Sequence, residues 1–322
     1  MHVAASSCNP MRKFIILSFI AVQAIVLSIS QAQTISAPFD TEYSLFDFGS
    51  VPGVPTNYGG ITFKYDDPDV ILIGGNANNS TSGAIYAVDV IRDPVTSRIT
   101  GFDGDATLFS TAPNIDGGLA YGPGNVLFYT GYSNNVIGQI KPGSTTPDKI
   151  TALTALGVTA STGTLQFVPD GFAGAGSLIV ASFNASVYYR TTLTLDGDGT
   201  YNFDGFTSIA TLPGGPEGMV FLGDDIPLID MPSLLVSEYG LNRVSLYDLD
   251  VNGVPIVGTR QNFITGLTGA EGAVVDPITG DFFFSTFGSS NRLIRVDGFV
   301  PEPGTSGLVA FGLLSLLSRR RR

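Results

Sequence analysis

The chain is nearly devoid of histidine, cysteine and tryptophan: His2 and Cys8 are single, and there is no Trp in 322 residues. Both His2 and Cys8 precede an apolar segment that reads as a removable leader, so the mature protein lacks all three types. That excludes Ser-His-Asp and Cys-His catalysis, disulfides, zinc fingers, and metal sites built on imidazole or thiolate. Charge is scarce too, at 14% of residues, and its balance of −12 argues against a nucleic-acid surface. What is abundant is glycine, 40 residues, with 19 prolines and 43% hydrophobic residues. The mixture is too apolar for a disordered chain and too rich in glycine for a helical bundle.

The two ends read as addresses. Arg12 and Lys13 precede the apolar run Phe14 to Leu27, broken only by Ser18 and Gln23, and Ser30-Gln31-Ala32 follows with small residues at −3 and −1 of a cut after Ala32. Charge, apolar stretch and small-residue site in that order predict a secretory signal over 1–32, for which Met11 would serve equally well as the start. An uncleaved membrane helix is the alternative, for which the run is short. At the other end, residues 300–322 hold Pro301-Glu302-Pro303, an apolar stretch from Leu308 to Leu317, and Arg319, Arg320, Arg321 and Arg322. Two prolines make a stiff stop, the apolar stretch suits a bilayer, and four arginines stay on the cytoplasmic side. Gly304 to Ser318 would be ~22 Å long as a helix, short of a ~30 Å hydrocarbon core, so a transient membrane stop is expected.

Pro-Glu-Pro, a short apolar helix and a terminal Arg cluster resemble the PEP-CTERM sorting signal of Gram-negative and related bacteria. The resemblance implies recognition of Pro301, Glu302 and Pro303 by an exosortase, a membrane protease-transpeptidase, with Arg319 to Arg322 as the cytoplasmic stop. It also implies a host that makes extracellular polysaccharide and a protein exported to the envelope or surface. An ordinary tail anchor is the plainer alternative.

Between the ends, residues 33–299 repeat one text: glycine, an apolar strand, a turn, a second apolar strand ending in Ser or Thr, a Gly/Asn-rich turn, and a third strand. Glu217-Gly218-Met219-Val220 leads to Leu234-Leu235-Val236-Ser237, and Glu271-Gly272-Ala273-Val274 leads to Phe282-Phe283-Phe284-Ser285. Gly60, Gly118, Gly163, Gly218 and Gly272 anchor the copies at steps of 58, 45, 55 and 54 residues. Periods of this size with strand signals alone predict an all-β chain folded as a β-propeller of five blades, or six if two repeats are merged. Segments such as Asn262 to Thr265 and Thr207 to Leu212 supply a fourth strand. The last repeat lacks one, and the orphan strand Glu42 to Phe48 is expected to complete it and close the ring. The stretch Arg243 to Gly253 is similar to NHL-type and gluconolactonase-like propellers, a weak likeness since propellers host many functions.

Candidate chemistry rests on oxygen ligands and ring faces. Asp116, Glu217 and Glu271 hold equivalent places before the innermost strands and are expected at one mouth of the channel. There they would hold Ca2+ or Mg2+, or be no more than repeated turn residues. The likeness to gluconolactonases implies a channel-mouth metal, although that family's Asn and catalytic Asp have no counterpart here. Asp248, Asp250 and Asn252 match the first half of a calcium loop, but Thr259 stands where the closing acid belongs. Asp196 to Thr200 has similar oxygen spacing, and hairpin turns account for both loops. Asp66, Asp67 and Asp69 read as a solvated turn. Tyr132, Phe183, Tyr239 and Phe287 recur at one blade position, so Tyr132, Tyr239 and Phe287 are expected either to bind a ligand by stacking on sugar rings or to plug the space between blades.

Residues 33–299 hold 27 acidic and 10 basic side chains, a net −17, which repels anionic polymers unless divalent cations bridge them. The reading is an exported, surface-sorted propeller acting as a non-catalytic binding or structural protein, with a polysaccharide or envelope protein as partner and no nucleic acid. The alternative is a metal-dependent lactonase-like hydrolase working from the channel mouth. A quinoprotein dehydrogenase is a distant third, because no His serves as base.

Overall fold

Five antiparallel sheets arise from the repeated strand text in the computed structural model, each with a four-strand core. The structure describes Met1 and residues 33–298, apart from 79, 225, 289 and 290. The predicted signal segment beyond Met1, with His2 and Cys8, and the sorting residues Pro301, Glu302, Pro303 and Arg319 to Arg322 lie outside the described residues. Among the described residues no helix is long and apolar enough to cross a membrane.

Blade one comprises Ile61–Lys64, Asp67–Gly75, Ala84–Arg92 and Ile99–Thr111, and blade two Ile115–Tyr121, Leu127–Gly131, Val136–Ile140 and Lys149–Ala152. Blade three is built from Thr162–Phe167, Leu178–Ser182, Val187–Thr191 and Thr207–Thr211. Blade four has Pro216–Leu222, Ser233–Glu238, Arg243–Asp248 and Gln261–Thr265. Blade five has Ala270–Val275, Phe282–Thr286 and Leu293–Asp297, and its outer strand is Ser44–Asp47 from the start of the domain. Ser44 pairs with Asp297 and Asp47 with Ile294 in antiparallel register, so the orphan strand closes the ring as expected, two residues shorter at its start. A second clasp has no counterpart in the sequence reading: Thr34–Ile35 adds to the outer edge of blade four, Thr34 opposite Thr265.

Five blades, not six, account for the whole repeat. The long steps are extra length inside blades. Blade one carries strands of 9, 9 and 13 residues, and blade three carries an additional hairpin, Leu193–Leu195 with Tyr201–Phe203.

The core explains why the second strands are unbroken apolar runs. A middle strand is covered on both faces, so alternate side chains serve different neighbours. Leu234 and Val236 join the cluster between blades three and four, while Leu235 joins the one between blades four and five. Phe282 and Phe284 pack toward blade four, and Phe283 packs toward blade one. Together with the clusters linking blades one and two and blades two and three, five apolar seams run right around the ring. Each fully buried Leu or Phe in a seam contributes about 1.5–3 kcal/mol of burial.

Hydroxyl groups add polar staples between blades, which gives the Ser/Thr ending of the second strand a reason. Thr130 accepts from the Gly118 N–H and donates to the Gly163 carbonyl of blade three at 2.8 Å. Ser285 donates to the Gly59 carbonyl at the entry to blade one at 2.6 Å.

A carboxylate cluster at the hub and an aromatic chain above it

Asp116, Glu217 and Glu271 are each the second residue of an innermost strand. Each strand loses its regular register at that point: the shifts fall between Ile115 and Leu119, Pro216 and Gly218, and Ala270 and Ala273. A bulge of this kind turns a side chain away from its alternating position, here toward the axis of the ring. Glycines make room for the convergence. A Cβ on Gly117 would overlap the Glu217 carbonyl and lie 2.7 Å from its Oε2, and one on Gly163 would lie 2.8 Å from the same oxygen. The repeated glycines of the sequence are therefore positions of close backbone approach between blades.

The three acids offer ligand oxygens that all lie within 4.8 Å of one another. They are 0%, 3% and 1% exposed for Asp116, Glu217 and Glu271. The expectation of an open channel mouth is thus corrected: the cluster is sealed inside the hub, because the innermost strands pack backbone to backbone around it. The three residues lie within innermost strands rather than in turns. Both Asp116 oxygens and Glu217 Oε2 find no donor among the described residues when the acids are ionised, and only a proton on one of the carboxyls lets Asp116 hydrogen-bond to Glu217 and Glu271. Burial pushes all three carboxyls well above their ordinary range, and their mutual repulsion pushes Glu217 and Glu271 further.

Blade three has Thr162 in the equivalent position, and its buried Oγ1 also lacks a partner. Sequence reasoning missed Thr162, although its place directly before the anchor Gly163 was a sufficient signal.

Above the cluster, the aromatic residues that follow each second strand form a continuous edge-to-face chain. Tyr132 meets Phe183 at 5.8 Å between centroids, Phe183 meets Tyr239 at 5.8 Å, and Tyr239 meets Phe287 at 6.0 Å. They are half-buried, and their rings engage one another across blades two to five. Burial, then the charges of Glu271, Glu217 and Asp116, raises the Tyr239 phenol, which ties the chain to the cluster below it.

The other candidate oxygens do not converge on the hub. Asp250 Oδ1 accepts from the Asn252 and Val254 N–H groups, and the Asn252 and Gly253 carbonyls accept from the Arg190 guanidinium. Asp248 pairs with Ser233 in the sheet, so this stretch is a hairpin turn with an arginine on its carbonyls. In the Asp196 loop, the Lys149 ammonium sits on Asp196 Oδ2, Asn202 Oδ1 and the Tyr201 carbonyl at 2.7–2.9 Å, where a cation would be. Asp66 and Asp69 are paired with Lys64 and Arg92.

Comparison with known proteins places the two parts of the chain. No curated protein sequence matches it. Solved structures resemble it at low identity. An auxiliary nutrient binding protein from Bacteroides ovatus is 11% identical over 80% of this chain and 76% of its own, with a TM-score of 0.42. Virginiamycin B lyase from Staphylococcus aureus is 15% identical over 81% of this chain and all of its own, with a TM-score of 0.40. A gluconolactonase candidate solved by structural genomics is 15% identical over 84% of this chain and 88% of its own, with a TM-score of 0.43. The C-terminal segment is matched by a family model, and its motif implies processing by an exosortase-type enzyme and export to the cell envelope or surface. The chain is a five-bladed β-propeller that carries, over residues 299–322, a PEP-CTERM protein-sorting motif.

Proposed function

We propose that residues 33–299 are the mature ectodomain of a non-catalytic binding or structural protein of the envelope or its polysaccharide matrix, and that its hub is locked by a divalent cation, Ca2+ by preference. The observation that carries the cation is the cluster Asp116, Glu217 and Glu271, buried and with three carboxylate oxygens unpartnered. Buried charges are ordinarily paired or bound to metal. Oxygens at ~2.3–2.6 Å from a Ca2+ ion can stand at most about 5 Å apart, and the three ligand oxygens, all within 4.8 Å of one another, meet that condition.

Closure separates this reading from a lactonase. A structural metal site is filled by the protein, whereas a catalytic one keeps a position open to water and substrate. The cluster is at most 3% exposed, so a cation held there would cross-link blades two, four and five and meet no lactone. The test is a melting curve of the protein in EDTA and in Ca2+, run beside a gluconolactone hydrolysis assay. Ca2+-dependent stabilisation without turnover supports the proposal. Metal-dependent turnover overturns its non-catalytic part, and identical melting in EDTA and Ca2+ overturns the cation. Retention on the host's own polysaccharide is expected if the partner is the matrix, and a flow-through free of bound protein removes that partner.

A further inference from the structure

Blades two, four and five each send an acid to the hub, and blade three has a hydroxyl in that place. The text Asp116-Gly117-Gly118-Leu119 of blade two returns in blade three as Thr162-Gly163-Thr164-Leu165. The two stretches share one neighbour. A Cβ on Gly117 would lie 2.7 Å from Glu217 Oε2, and a Cβ on Gly163 would lie 2.8 Å from the same oxygen. Blades two and three thus approach Glu217 each with a glycine, and the residue before that glycine is Asp116 in one and Thr162 in the other. Both innermost strands lose their regular register here, between Ile115 and Leu119 and between Thr162 and Thr164.

Thr162 is held firmly while its own hydroxyl is left over. Its N–H donates to Asn135 Oδ1 at 3.0 Å, and the Asn135 amide donates in turn to Thr154 Oγ1 and to the Val158 carbonyl. The Thr130 hydroxyl holds the next carbonyl, that of Gly163, at 2.8 Å. Thr162 is 0% exposed, and its Oγ1 has no hydrogen-bond partner among the described residues. The hydroxyls that end the second strands behave otherwise: Thr130, Ser182 and Ser285 each donate to a backbone carbonyl. Buried polar atoms are ordinarily satisfied, so an orphan beside orphaned carboxylates points to a shared partner.

A cation in the hub calls for such a group. Ca2+ takes roughly six to eight oxygens, and three carboxylates reach the lower figure only if each binds through both of its oxygens. Those carboxylates already carry more charge than a divalent ion neutralises, and a fourth acid would leave further charge uncompensated in a buried site. A hydroxyl lone pair adds an oxygen and no charge.

We propose that Thr162 is a fourth side-chain ligand of the hub cation, its Oγ1 facing the ion, so that blades two, three, four and five are tied through one hard centre of the Ca2+ class. The inference rests on the cation reading above and adds to it a ligand that bears no charge.

The test is calorimetric titration of the full-length protein with Ca2+, beside melting curves in EDTA and in Ca2+. Thr162→Val keeps the shape and deletes the oxygen, whereas Thr162→Ser keeps the oxygen. Wild type and Thr162→Ser are expected to bind one Ca2+ with similar affinity, and Thr162→Val to bind it about tenfold more weakly or worse. In EDTA, Thr162→Val should melt no lower than the wild type, because the hydroxyl it loses had no partner; in Ca2+ it should melt lower. A packing role would lower Tm in both conditions. Thr162→Ala repeats the deletion without placing a methyl where the oxygen was, and the same loss of affinity is expected if valine does not fit. Wild-type affinity in Thr162→Val or Thr162→Ala overturns the inference and leaves the three-acid site standing. A wild-type protein that takes up no Ca2+ overturns the cation itself, and this ligand with it.

Discussion

Removing the hub cation should make the protein sensitive to alkali, and the size of the effect follows from the cluster geometry. At the outer separation of 4.8 Å, two ionised carboxylates repel by about 3.5 kcal/mol at an effective dielectric near 20. Three such pairs amount to about 10 kcal/mol, which rivals the ~5–15 kcal/mol net stability of a whole domain. Without a cation the cluster must therefore keep protons, and the raised carboxyls of Asp116, Glu217 and Glu271 agree in direction. The sign follows from linkage. Folded values above the unfolded ones mean that the unfolded chain ionises first, so stability is full below the unfolded range near pH 4 and falls as pH rises, by about 1.4 kcal/mol per pH unit for each proton retained. A divalent cation reverses this, because it requires the ionised form. At a free Ca2+ concentration ~100-fold above Kd it adds about 2.7 kcal/mol, or roughly 5 °C or more in Tm for a domain of this size. The assay is calorimetric melting at pH 5 and pH 8, each in EDTA and in Ca2+. The expected pattern is a Tm that falls from pH 5 to pH 8 in EDTA and recovers in Ca2+ at pH 8. Glu271→Gln should raise Tm in EDTA at pH 8 and abolish the Ca2+ response. A Tm independent of both pH and Ca2+, or a Glu271→Gln variant that still responds to Ca2+, would refute the reasoning.

Four further outcomes are expected. Glu238 is fully buried and accepts from Arg243, Arg260, Ser245 and Tyr247, so Glu238→Ala strands two guanidinium groups and should cost about 3–5 kcal/mol, read as a Tm lower by about 10 °C. Gly117→Ala should lower Tm by several degrees because its Cβ would overlap Glu217, whereas Gly101→Ala, with open space around it, should leave Tm nearly unchanged. Burial and the nearby Asp297 charge raise the Asp281 carboxyl to about 6, so its contribution is present below pH ~4 and lost as pH climbs to 6. Melting curves should then show Asp281→Asn matching the wild type at pH 4 and exceeding it at pH 7. Finally, mass spectrometry of the surface-exposed protein should find the C-terminal arginines gone, and recovery of an intact Arg322 there would contradict processing at the sorting motif.

Much of the ring could be read from sequence because its rules are local. A strand covered on both faces must be apolar at successive positions, and Leu234-Leu235-Val236 and Phe282-Phe283-Phe284 are. A backbone that approaches a neighbour closely must lack a Cβ, and the anchors Gly163 and Gly272 do. The missing outer strand of the last repeat and the orphan strand before the first left one simple pairing, which Ser44–Asp47 makes. What resisted reading depends on the third dimension. Equivalent placement of Asp116, Glu217 and Glu271 says that they share a level of the ring, but not that the level is closed. The bulges beneath them and the glycine contacts that seal them are set by blade-to-blade packing. The Asp196 loop looked like a cation site in one dimension because the lysine that fills it, Lys149, comes from another blade.

The two ends of the channel differ in the residues they carry. Leu293–Asp297 runs antiparallel to Phe282–Thr286 and hence in the same sense as Ala270–Val275, whose last residues line an apolar cavity. Residue 298, the last described residue, therefore lies at the end of the ring opposite the hub acids. Thr34 pairs with Thr265, opposite Arg243 at the start of its strand, so the domain begins at the end that carries the aromatic chain and the hub acids. The described chain therefore enters the ring at one end of the channel, through Thr34–Ile35, and its last described residue, Gly298, lies at the other.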